Sequence, residues 1–112
     1  MLELREFYNN SPLSTDFYEL TMAYAYFSSH QIDKIGIFEM YIRKLPNNRN
    51  YLVAAGLNYV IDFLLNFKFK NEYINFLKTH KIFKGSDKNF FDYLLHLKFT
   101  GNLWAVPEGS II

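Results

Sequence analysis

The 112-residue chain contains no cysteine. Disulfides, thiolate metal sites and a cysteine nucleophile are therefore excluded. A dominant charge is also lacking: 12 basic and 11 acidic residues leave a formal net charge of +1. That balance gives no electrostatic footprint for nucleic acid or for an anionic membrane. No apolar run approaches the roughly 20 residues that cross a bilayer. The first residues lack the basic-then-apolar order of a signal peptide, because Glu3, Arg5 and Glu6 interrupt it. The expectation is a cytoplasmic protein with no nucleic-acid or membrane partner. Glycine is sparse as well. Gly36, Gly56, Gly85, Gly101 and Gly109 stand alone, so no phosphate-cradling glycine loop can be drawn. No Gly-x-Ser-x-Gly elbow occurs, and no carboxylate pair is spaced for acid–base work.

What the chain has in abundance is apolar and aromatic. Half of its residues are hydrophobic, and 12 Phe and 9 Tyr stand among them. That is too much for disorder. The length suits one small domain. A domain so short has a high ratio of surface to volume, so surplus aromatic groups are expected to face a partner.

The pattern predicts an α+β arrangement. Residues 1 to 13 read as a lead-in, with a turn at Asn9, Asn10, Ser11 and Pro12. A helix starts near Thr15 or Asp16, where Asp16 and Glu19 form a capping-box-like pair. Phe17, Leu20, Tyr24 and Phe27 recur at helical spacing and make its core face. Tyr18, Met22 and Ala25 lie on an adjacent face, and Ser28, Ser29 and His30 end the helix. Residues 35 to 43 alternate as a strand, with Phe38, Met40 and Ile42 on one side and Ile37, Glu39, Tyr41 and Arg43 on the other. Pro46, Asn47 and Asn48 break it. A second helix is expected from Tyr51 to Asn66. Val53, Leu57, Val60, Leu64 and Phe67 form its stripe, and Leu52, Ala55, Tyr59 and Phe63 widen that stripe into a mostly buried surface. Gly56 then lies inside the helix at a cost of roughly 1 kcal/mol, which suggests close packing. Helices at 71–80 and 88–97 follow, the latter capped by Asp87. The tail starts as a strand at Asn102, turns at Pro107 to Gly109 and opens a new apolar run at Ile111. A domain seldom stops two residues into such a run, so the expectation is a domain over 1–112 cut short at Ile112.

Few residues offer chemistry. His30, His80 and His96 have no metal-ligand spacing, and two of them sit at helix ends, where a cation suits the dipole. Asp16 reads most simply as a cap. Tyr18 is off the apolar stripe of its helix. It is either packing or an aromatic plate offered to a ring-shaped ligand, with its hydroxyl kept wet. Arg43 and Arg49 flank the break after the strand. They are either solvated or a pair of forks for phosphate oxygens, and an ion pair between Arg43 and Glu39 is a third possibility. Trp104, the only tryptophan, reads as core or interface packing.

Four blocks, TDFYELTMAYAYF (Thr15 to Phe27), FEMYIRKLPNNRNYLVAAGL (Phe38 to Leu57), FLLNFKF (Phe63 to Phe69) and FFDYLLHLKFTGNLWAVPEGSII (Phe90 to Ile112), occur in an order and spacing that resemble nicotinate phosphoribosyltransferase. The resemblance covers the chain from Pro12 onward. It implies an N-terminal α/β sandwich-type domain without the C-terminal α/β barrel that completes the family's fold. It implies a homodimer that joins nicotinate to phosphoribosyl pyrophosphate. The products are nicotinate mononucleotide and pyrophosphate, with ATP and Mg as cofactors and NAD biosynthesis as the setting. Through the same resemblance Tyr18 becomes the aromatic that stacks on nicotinate in the neighbouring subunit's site. Asp16 belongs to its block, and Arg43 and Arg49 lie in the block that faces the phosphoribosyl group. None of the three histidines matches the family's phosphorylated one, so catalysis is not expected of this chain alone. The alternative, from another class, is a non-catalytic interaction module that keeps the shape of the domain.

Overall fold

The computed structural model describes residues 11–112. The Asn9–Asn10 part of the expected lead-in turn lies outside the described residues. Four helices follow in order: α1 at Phe17–Ser28, α2 at Leu57–Leu65, α3 at Asn71–Thr79 and α4 at Lys88–His96. Among the described residues there is no strand, only one isolated antiparallel bridge, Val53 to Ile111.

The core is an aromatic knot. Leu20 of α1 joins Ile74 and Leu77 of α3, Phe90, Phe91 and Leu94 of α4, and the loop residues Phe69 and Phe83. Phe90 is fully buried. Its ring lies 4.9 Å from that of Tyr24, 5.5 Å from Phe27 and 5.8 Å from Phe91. Such tilted pairs add about 0.5–1.5 kcal/mol each beyond the area they bury. The helical spacing of Phe17, Leu20, Tyr24 and Phe27 therefore does face the core as expected. Phe17 reaches His80 at 4.4 Å and Phe83 at 5.7 Å.

The N-cap of α1 differs from the reading of its sequence, while its end at Ser28, Ser29 and His30 agrees with it. Asp16 occupies the N-cap position, but its side chain accepts no cap hydrogen bond. Its carbonyl accepts from the Glu19 N–H instead, at 3.0 Å. The capping box is thus absent. At the other end His30 adopts φ 56°. Its N–H donates to the Phe27 carbonyl at 3.1 Å, and the Gln31 N–H donates to the Tyr26 carbonyl at 2.9 Å. This is the paired termination in which a left-handed residue satisfies the last carbonyls, a place glycine usually takes. Asp87 caps α4 as expected, accepting from the Asn89 N–H at 2.9 Å.

The expected strand at 35–43 does not form. The segment is extended, but no backbone hydrogen bond ties it to another described residue. Ile35, Ile37, Phe38 and Met40 are each more than 90% exposed. Alternation builds a strand only when a neighbour takes up its N–H and C=O groups, and no described segment does so. Among the described residues the α/β sandwich is accordingly not seen; they form four helices with long extended connections.

The second helix is also shorter than its stripe. It begins at Leu57, because Gly56 has φ 97° and the residues before it pair with the tail. A Cβ on Gly56 would meet nothing within 4 Å. The glycine therefore serves a positive φ and not close packing. No residue of α2 is buried; only the Phe63–Phe67–Phe69 ring contacts, at 5.6 and 5.8 Å, carry it toward the core. Trp104 is 93% exposed, which excludes the core alternative of its expected packing, and the expected strand at 102 is unpaired among the described residues. The radius of gyration, 17.0 Å, exceeds the roughly 13 Å of a closed domain of about 100 residues.

Phe90→Ala should cost about 3–5 kcal/mol in urea unfolding, whereas Phe38→Ser should change stability by less than about 0.5 kcal/mol. His30→Gly should stabilise the chain by about 0.5–1 kcal/mol in the same measurement, since glycine takes a left-handed φ without strain.

Candidate functional site

Tyr18 sits in the first turn of α1 and is 58% exposed. Its helix is held by Leu20, Tyr24 and Phe27 on the packed side, so the ring is left on the open side of a fixed element. The neighbouring Glu19 carboxylate favours the protonated Tyr18 hydroxyl and repels a phenolate, which raises the hydroxyl above its ordinary pKa of 10.0. The hydroxyl stays protonated at neutral pH, and the ring remains a neutral aromatic surface. Asp16 is exposed at the start of the same helix.

Arg43 and Arg49 are exposed on either side of a turn at Pro46–Arg49. The Arg49 N–H donates to the Pro46 carbonyl at 3.1 Å. Asn48 takes φ 62° at the third position, as a type II turn requires. No ion pair joins Arg43 to Glu39, and among the described residues neither arginine is bonded to Tyr18 or Asp16. Two clefts of about 520 and 310 Å³ open elsewhere, the first beside Tyr24, His30 and Asp87, the second between Leu20, Phe63, Phe67 and Leu94. Neither is lined by Tyr18, Arg43 or Arg49.

The histidines have structural surroundings. His80 closes α3 against the Phe17 ring, and His96 ends α4 with Nδ1 2.8 Å from the Asp92 carbonyl. Among the described residues no group of three or more His, Cys, Asp or Glu is placed to hold a metal ion.

One residue was missed by sequence reasoning. Glu108 reaches across 52 positions to α2. Its Oε1 accepts from the Gly56 N–H at 2.8 Å and its Oε2 from the Leu57 N–H at 3.0 Å. Two donors that the first turn of a helix leaves free are thereby satisfied by a carboxylate from the tail. These bonds hold the Glu108 carboxyl below its ordinary pKa of 4.5. Four backbone bonds of 2.8–2.9 Å, between Leu52 and Ala54 on one side and Gly109, Ser110 and Ile112 on the other, complete the joint. No local motif marks a cap supplied from so far along the chain. The only signal was the turn Pro107–Ser110, with Gly109 at φ 84°.

With this geometry in place, comparison with known proteins decides the family. The model for the nicotinate phosphoribosyltransferase N-terminal domain matches residues 13–112. The chain belongs to that family. It is 42% identical over 100 residues to nicotinate phosphoribosyltransferase pncB2 of Mycobacterium tuberculosis, which covers 89% of the chain and 21% of that relative. It is 39% identical over 103 residues to nicotinate phosphoribosyltransferase 2 of Arabidopsis thaliana, covering 91% and 18%. Against the Bacillus subtilis nicotinate phosphoribosyltransferase it is 36% identical over 100 residues, covering 89% and 20%. No solved structure matches the chain. The chain spans about a fifth of the length of these relatives.

Because the Glu108 carboxylate ionises below 4.5 in the fold, its bonds add stability above that pH and lose it as pH falls through the folded value. Glu108→Gln should therefore lower the urea midpoint at pH 7. The gap between variant and native chain should close as pH falls below 4.5 and through the lowered folded value of the carboxyl, read by circular dichroism.

Proposed function

We propose that this family member is the substrate-contributing N-terminal domain of a nicotinate phosphoribosyltransferase. The whole enzyme would join nicotinate to the ribose of phosphoribosyl pyrophosphate, giving nicotinate mononucleotide and pyrophosphate for NAD synthesis in the cytoplasm. The observation that carries this reading is Tyr18, an aromatic ring left 58% exposed on a helix whose other face is locked into the core. A flat pyridine ring stacks well on such a plate, since both faces are apolar while the ring edges stay hydrated. In a homodimer the plate would close the nicotinate site of the neighbouring subunit.

Arg43 and Arg49 are proposed to face the phosphoribosyl group, each offering a planar fork of donors to phosphate oxygens. Asp16 is proposed to set the start of the helix that bears Tyr18. No residue of this chain is assigned a step in bond making. ATP and Mg are proposed for the whole enzyme, where ATP hydrolysis would supply the energetic coupling, and none of these residues is assigned to hold them.

A second reading, a non-catalytic module that binds a partner through aromatic surface, draws on one observation: the exposed Ile35–Met40 segment. A stable 112-residue monomer that captures a specific partner without gaining transferase activity would favour it.

In the dimeric enzyme, Tyr18→Ala should raise the nicotinate KM about two- to tenfold, the size of one lost stacking contact. Tyr18→Phe should leave it within about twofold. An unchanged KM in Tyr18→Ala would remove the residue from the site.

A further inference from the structure

We propose that Glu108 is a positioning residue for the arginine-bearing turn, and that it acts through the start of α2. The inference rests on the reading of Arg43 and Arg49 as phosphate contacts, and it names what holds them. Upstream, residues 35–43 make no backbone hydrogen bond to any other described residue. Within the turn, the one backbone bond is Arg49 N–H to the Pro46 carbonyl. Downstream, the chain is first anchored at Leu52, three residues past Arg49, and every anchor from Leu52 to the Leu57 N–H goes to the tail at 108–112. Among the described residues, the backbone hydrogen bonds that flank the turn on its downstream side therefore all run through that joint, and none is made by residues 35–43 upstream.

Within the joint, Glu108 does what the backbone ladder cannot. The ladder runs from Leu52 to Ala54 and stops. Past Ala55, the carboxylate spans the N–H groups of Gly56 and Leu57, and these define where α2 begins. Gly56 has a left-handed φ and α2 has neither a side-chain cap of its own nor an acidic residue in its first turn. With the carboxylate removed, two helix donors are orphaned at the point where the ladder meets the helix. The first turn of α2 and the ladder then lose their common register, and the arginines lose a defined place.

Two measurements test this. The absence of cysteine allows spin labels at two chosen sites, Asn47→Cys in the turn and Lys88→Cys at the start of α4. Glu108→Ala should broaden the distance distribution between them at least about twofold. A control pair at Ser28→Cys and Lys88→Cys, on the two elements of the aromatic knot, should keep its width. An unchanged turn distance would overturn the proposal, as would equal broadening of the control pair, which would mean general loosening. In the assembled enzyme, Glu108→Ala should raise the phosphoribosyl pyrophosphate KM about tenfold, as expected for loss of about 1.4 kcal/mol of placement, with the nicotinate KM within about twofold. Glu108→Gln, which keeps one acceptor oxygen, should fall between. Combined with Arg49→Ala, Glu108→Ala should add little further, because both remove the same contact. Additive effects would overturn the positioning role. Absence of transferase activity in the native enzyme would instead defeat the functional reading, and the label distances would still decide the role of Glu108.

Discussion

The packed half of this chain depends on the burial of Phe90. The ring is fully enclosed, with Tyr24 and Phe27 of α1 on one side and Phe83 and Phe91 on the other. Through it α1 is joined to α4, and α4 packs on α3. Five aromatic rings in mutual contact bury large areas with few rotatable bonds, so they fix orientation as well as energy. This gives Tyr18 its meaning. On a loosely held helix an exposed tyrosine would be one more solvated side chain. On α1 its direction is set by Leu20, Tyr24 and Phe27.

The other half of the chain obeys a different constraint. Around α2, the 35–50 segment and the tail, no residue of the helix is buried, and order comes from directional bonds. Hydrogen bonds contribute only about 0.5–1.5 kcal/mol each, more to charged groups, and they act at points. A structure fixed at points can leave apolar side chains uncovered, as Phe38, Met40 and Trp104 are. A structure fixed by burial cannot. The packed half thus presents one defined ring, and the bonded half presents a broad apolar surface beside two arginines.

Legibility in the sequence divides along the same line. Where burial decides, periodicity sufficed: Phe17, Leu20, Tyr24 and Phe27 face the core, and α3 and α4 lie within about a residue of their expected bounds. Where long-range hydrogen bonds decide, periodicity misled. Residues 51–56 continue the stripe of α2, yet Leu52 and Ala54 pair with a tail more than 50 positions away, and the positive φ of Gly56 ends any helix there. The 35–43 alternation describes what a strand needs on its faces, but a strand also needs neighbours on its edges. The caps show the same division. Asp87 bonds its own helix, a local fact that spacing reveals. Asp16 occupies the position without making the bond, and α2 is capped by Glu108, which no local rule could nominate.

The candidate site lies on both sides of this division, and that shapes what each part can do. A stacking plate must hold its plane against a flat ligand, and burial of its helix supplies that stiffness. Arginines proposed to meet a phosphoribosyl group would have to adjust to a flexible, highly charged ligand, and a turn with few backbone bonds of its own would suit that role better than a packed helix. The cost of that arrangement is dependence on the joint. One exposed carboxylate, its pKa lowered by two backbone N–H groups, stands where burial stands for Tyr18. Stacking and phosphate contact should therefore respond to different perturbations, the first to changes in core volume around Phe90 and the second to the charge state of Glu108.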